Sequence, residues 1–154
     1  MQSLPFLSIT QVFHNLQKRK VGRYFTRPCS VEEVQKLEDN LGLRLPAAYR
    51  ELLLWIGNGG FVFEGQYFRH YLIKGNRAMA IKLMQVLGLS ESLPEDAIVF
   101  LHDQLDEYFY YICASEGDDP PVHEFYAVGG ECKHVKNYSK KLEEYMLRRL
   151  RSFL

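Results

Sequence analysis

The stretch from Ser30 to Gly60 constrains the fold more than any other, because its residues spell out two helices and the ends of both. Ser30 and Glu33 have capping-box spacing, at which each side chain satisfies an orphan amide at a helix start. Val31, Val34, Leu37 and Leu41 then recur on one helical face. Gly42 stands where a left-handed residue ends a helix. Pro46 suits the first turn of a second helix. Tyr49, Leu52, Leu53 and Ile56 follow at i, i+3, i+4 and i+7, the cleanest amphipathic stripe in the chain. The run Gly57-Asn58-Gly59-Gly60 stops that helix and turns the chain, and Gly59 or Gly60 is expected at positive φ.

The remaining segments alternate in type. Ser8 to Gln17 is predicted helical, with Ile9, Val12, Phe13 and Leu16 on one face. Lys18 to Lys20, Arg23 and Arg27 follow as a basic patch, read as a solvated helix end because cations favour helix C-termini. Tyr24 to Pro28 reads as an extended linker. Phe61 to Phe63, a turn at Glu64-Gly65, and Gln66 to Ile73 are predicted to form a hairpin. A third helix is expected from Arg77 to Leu87, capped by Asn76 and closed by Gly88. Strands are expected at Ala97 to Leu101, Tyr108 to Cys113, Val122 to Tyr126, and near Cys132 to Val135. A last helix runs from Ser139 to about Ser152, with Leu142, Tyr145, Met146, Arg149 and Leu150 inward. Strands joined this closely favour antiparallel pairing. The expected fold is therefore α+β: one domain, a central antiparallel sheet, and helices packed on it. Residues 1–29 are read as an N-terminal helical extension and linker, and residues 30–154 as the core.

The Leu37-Glu38 pair, Leu41-Gly42, Leu45-Pro46, Tyr49 and the helix ending Asn58-Gly59-Gly60 together resemble the N-terminal signature of the SUKH superfamily. The passage Pro121-Val122-His123 to Tyr126, then Tyr138-Ser139 before Leu142, is similar to that family's closing strand-to-helix segment. The superfamily includes fungal cell-wall synthesis regulators and bacterial toxin-immunity proteins. The resemblance implies the same element order, a non-enzymatic role, and a protein partner. Where family members often carry a glycine-rich acidic turn, this chain has His102-Asp103-Gln104-Leu105-Asp106-Glu107, without glycine.

Composition narrows the function classes. The net charge is zero, so no global argument for nucleic acid exists. Three cysteines without a framework fit a reducing compartment, and the start MQSLPFLSI lacks a signal-peptide pattern, so cytoplasm is expected. The apolar runs are too short to span a bilayer. Cys132-x-His134 is half a zinc site with no second pair. His102, Asp103 and Asp106 lack the calcium-loop pattern. Gly57 to Gly60 lacks the lysine of a phosphate-binding loop. Cys113 and His123 could meet across neighbouring strands, but a mid-strand apolar cysteine normally serves as a small core residue. No cofactor or metal is implied.

The charge map carries more information. Residues 83–132 hold no Lys or Arg and eleven of the nineteen acids, for a local charge of −11. Residues 1–82 carry a net +6 and residues 133–154 a net +5. One reading is a set of solvated loops kept for solubility. The other is an acidic surface that meets a basic protein. The SUKH resemblance favours the second, since an immunity protein occludes its toxin and many such toxins are nucleases with basic clefts. The candidate partner-binding residues are Asp103, Asp106, Glu107, Tyr108, Tyr110, Asp118 and Asp119, with the acids steering and an exposed tyrosine anchoring. A regulatory scaffold for host proteins and a hydrolase built on the acidic cluster are the competing readings.

Overall fold

A computed structural model describes residues 26–63, 66–103, 107–128 and 131–152. The helix expected at Ser8 to Gln17 and the basic patch up to Arg23 lie outside these residues. Helix α1 (Val31–Leu41) opens with the expected capping box: Ser30 N–H donates to Glu33 Oε2 at 2.8 Å, and Glu33 N–H to Ser30 Oγ at 3.1 Å. Gly42 closes it at φ 63°. Val34 and Leu37 are buried, but Val31 is 63% exposed, a departure from the expected face. Helix α2 (Ala47–Ile56) follows, with Pro46 just ahead of its first turn. Its whole stripe of Tyr49, Leu52, Leu53 and Ile56 is buried. Glu38 links the pair: its Oε1 accepts from Leu45 N–H at 2.9 Å and lies 3.4 Å from the Arg50 guanidinium.

The glycine run works as a close-packing corner. A Cβ on Gly57 would fall on Cys29 Sγ and within 2.6 Å of the Leu53 carbonyl, so the linker can approach only because that side chain is missing. Gly59 has φ 102°, as anticipated for one of the pair. Thr26 bridges to Gly60, and Arg27 N–H donates to Gly59 O at 2.8 Å, which holds the linker extended along the corner.

Two expectations fail beyond this point. Phe61–Phe63 is a 3-10 turn, not a strand, and all three side chains are buried. An alternating strand would send Val62 to the opposite face, whereas the turn brings all three inward. Phe63 then stacks on Phe68 with centroids 3.8 Å apart. In place of the hairpin, a two-residue strand β1 (Gln66–Tyr67) pairs with Asp103 and His102. Helix α3 (Ile73–Val86) starts four residues earlier than predicted. Asn76 lies inside it, buried, and donates to the Val99 carbonyl at 3.3 Å. Tertiary bonding here overrides the local preference of Gly75-Asn76 for a turn. Gly88 ends the helix at φ 68°, with Leu89 N–H donating to Met84 O at 3.1 Å.

The sheet is antiparallel throughout, in the order β1-β2-β3-β4-β5. Its longer strands are β2 (Ala97–Asp103), β3 (Tyr108–Cys113), β4 (Val122–Val128) and β5 (Glu131–Ser139). Helices cover both faces, which is why β2 reads as an unbroken apolar run. On one face Ile98, Phe100, Ile112 and Val122 pack under α1, α2 and α4 (Leu142–Arg151). On the other, Val99, Phe109, Tyr111 and Phe125 pack against Ala80 and Met84 of α3. A register shift between Val99 and Leu101 lets Phe100 and Leu101 both enter the first core. Helix α4 begins after Ser139 because Ser139 still pairs with Val122 in the sheet. Arg149 is half-buried. Its Nε–H donates to Val62 O at 3.1 Å, and its guanidinium sits 4.9 Å from the centre of the Phe63 ring.

Candidate functional site

Strand alternation places Tyr108 and Tyr110 on one face of β3, with Phe109 and Tyr111 on the other. Register extends each tyrosine into a row: Tyr108–Tyr126–Lys133 and Tyr110–Glu124–Val135. This is the face that α2 and α4 cover at the Ile112 and Val122 end. Toward Tyr108 it opens. Tyr108, Tyr110, Tyr126 and Val135 are half-buried and Lys133 is exposed. Tyr108 stacks on Tyr126 at 5.9 Å with planes 25° apart. Tyr110 packs against Tyr138 at 5.7 Å and Tyr145 at 5.3 Å. Burial, and next the hydrogen bond to Glu124, raise the Tyr110 hydroxyl well above its ordinary pKa, so it remains a donor to the buried carboxylate.

The acids do not form one patch. Asp103 and Glu107 flank the β2–β3 connection; Asp106, between them, lies outside the described residues. Asp118 and Asp119 lie beyond the opposite end of β3, about 17 Å away by strand rise. Asp103 is occupied in holding its own loop, accepting from Glu107 N–H at 2.9 Å and Tyr108 N–H at 3.0 Å. Asp119 accepts from Glu143 N–H at 3.1 Å, which ties down the first turn of α4. Glu107 is half-buried and Asp118 exposed. Elsewhere in the lysine-free stretch, Asp96 accepts from Ser115 N–H at 2.7 Å and Glu116 pairs with His123 at 2.8 Å.

Asp119 gives a pH test of its structural role. Burial, the largest cause, raises its carboxyl above the ordinary value although the Glu143 amide opposes this. A folded-state pKa above the unfolded one means that the acid's contribution is present at low pH and lost as pH rises through the raised value. Asp119→Asn keeps an acceptor for the amide without the charge. Its thermal midpoint is expected to equal or exceed the wild type's at neutral pH, with the difference closing below about pH 4. A variant clearly less stable at neutral pH would contradict this assignment.

Two clusters bring a thiol, a carboxylate and an imidazole within 4.8 Å: Cys29, Glu33 and His70, and Cys113, Glu116 and His123. Cys113 and His123 do therefore meet, as adjacent strands allowed. In both clusters burial pushes the thiol up to about 12, with the nearby acid adding to it, so neither cysteine is an activated thiolate. His123 Nδ1 accepts from Asn137 N–H at 2.9 Å, so the neutral ring carries its proton on Nε2, facing Glu116. That tautomer has no free nitrogen for a metal. Across the sheet, Glu91 lies 2.8 Å from His134 Nδ1, and His134 Nε2 bonds the Tyr111 hydroxyl. The order of groups is that of a carboxylate–imidazole–hydroxyl relay, but Tyr111 is buried and burial raises its hydroxyl pKa, the wrong direction for a nucleophile. Sequence spacing gave no sign of this relay, whose members come from three separate segments.

The model of the SMI1/KNR4 family (SUKH-1) matches residues 28–148. The chain belongs to this family. The SUKH-1 match spans every described helix and strand, save the last residues of α4. No individual curated protein matches the chain. Among the described residues of this SUKH-1 domain, no helix is long and apolar enough to cross a membrane.

Proposed function

We propose that this SUKH-1 protein is a cytoplasmic, non-enzymatic protein-binding module, most concretely an immunity protein that occludes a basic toxin domain of nuclease type. The observation that carries this reading is the half-exposed, stacked Tyr108–Tyr126 pair at the open end of the sheet. Tyrosines held by stacking lose little rotamer freedom on binding, and such aromatics dominate the centres of interfaces. Tyr110 supports the pair from the next row. Asp103 and Glu107 border the same end, with Asp106 between them in sequence, while Asp118 and Asp119 contribute to the field from the other. Charges need not touch a partner to speed its approach.

The structure selects which acids to change. Asp103 and Asp119 bond backbone amides, so the test leaves them in place. Asp106→Asn, Glu107→Gln and Asp118→Asn are combined, and association is followed with the stoichiometric basic protein that a pull-down on this chain recovers. At about 0.05 M salt the triple variant is expected to associate several-fold more slowly, with an unchanged thermal midpoint. At about 0.5 M salt the two proteins should converge, because the Debye length falls from above 10 Å to a few Å. Equal rates at low salt would make these acids a solvated surface only. A pull-down yielding several substoichiometric partners instead of one stoichiometric basic protein would favour a regulatory scaffold.

A further inference from the structure

Strand β5 is the edge of the sheet: β4 pairs one side of it, and no strand among the described residues pairs the other. A free edge is a row of main-chain donors and acceptors. Its C-terminal end adjoins a cavity of about 450 Å³ lined by Tyr138, Ser139, Lys140, Glu144 and Arg148 among others. Two independent observations meet at this place.

The first is charge. Lys140 and Arg148 outnumber Glu144 on the cavity wall, and residues 133–154 carry a net +5. The Arg148 guanidinium sits 5.3 Å from the centre of the exposed Tyr138 ring, which gives the rim a fixed cation. The second is backbone shape. The β4–β5 register shifts between Val122 and Glu124, and Asn137 adopts φ 54° at that point, turning its N–H inward to His123. Such irregularities re-aim the residues beside them, and here those are Tyr138 and Ser139, both on the cavity wall.

We propose that the β5 edge and this cavity together receive an extended acidic segment of a partner protein. The segment adds as a strand to β5, and one of its carboxylates enters between Lys140 and Arg148. Charge selects this occupant over a second copy of the chain. Lys133 and Lys136 are exposed on β5, and edge lysines oppose pairing with a like-charged edge while suiting an acidic one. The site takes a partner of opposite sign to the one proposed for the acidic loops, and it stands or falls independently of that reading.

The test uses a fluorescein-labelled decapeptide of alternating Glu and Thr, titrated against the full chain by anisotropy. Saturable binding is expected, with amide exchange slowed along β5. Lys140→Glu combined with Arg148→Glu should weaken it at least tenfold, and Lys82→Glu, exposed on α3, should not change it. Absence of saturation, or equal affinity in the Lys140/Arg148 variant, would overturn the proposal. So would full competition by inorganic phosphate at matched concentration without β5 protection, since that describes an anion pocket with no added strand.

Discussion

Phe100→Ala is expected to lower the free energy of unfolding by about 3–5 kcal/mol, the range for deleting a buried aromatic. Phe100 is fully buried at the register shift of β2, where the strand, α2 and α4 converge. Its ring lies 6.2 Å from that of Tyr49 on α2 and 5.9 Å from that of Tyr145 on α4, the latter edge-on. Such pairs add about 0.5–1.5 kcal/mol beyond the area they bury. The space left by alanine is hard to fill, because its walls are tied separately to the frame. Ala48 N–H at the start of α2 donates to Asp118 O at 2.8 Å, and Arg149 fastens α4 to Val62. Urea unfolding with an unchanged slope measures the loss. A cost below about 1 kcal/mol would place Phe100 at a site that collapses freely, and the three-way junction would be wrong.

The two N-terminal helices were legible because their ends are written in local chemistry. The Ser30–Glu33 box, Gly42 and the Gly57–Gly60 run each act within a few residues. Strand β3 was legible to the residue, since its turns and aromatic run bound it on both sides. What failed depended on distant partners. Phe61–Phe63 reads as a strand by composition, yet the core needs all three side chains at once. Asn76 reads as a cap, but its amide answers a carbonyl on β2. Val31 fits the stripe of α1 but lies where no second element among the described residues covers it.

The candidate site was legible in part, and for a definite reason. That Tyr108 and Tyr110 share a face follows from strand periodicity alone. That Tyr126 and Lys133 complete the first row depends on the register of β4 and β5, which no local residue reveals. The acidic run was plain in the sequence, but a run along the chain is not a patch in space. The length of β3 separates its two groups, and backbone amides engage Asp103 and Asp119.

The second large effect concerns the tyrosine pair. Replacing Tyr108 and Tyr126 together by alanine is expected to speed dissociation of the proposed protein partner about 30-fold or more, the effect of losing a hot spot of about 2 kcal/mol. The substitution should act on release, because interface contacts mostly set the off-rate while distant charges set the on-rate. It should leave the fold nearly intact. Both rings are half-exposed, and a cross-strand pair of this kind contributes only about 0.2–1 kcal/mol to stability. The thermal midpoint of the variant therefore serves as the control. The most direct test of the proposed role is the dissociation rate of the partner from the wild type and from the Tyr108→Ala, Tyr126→Ala variant, measured at one salt concentration. A rate at least 30-fold faster, with association little changed, is the predicted result; equal dissociation rates would contradict a binding face built on these strands.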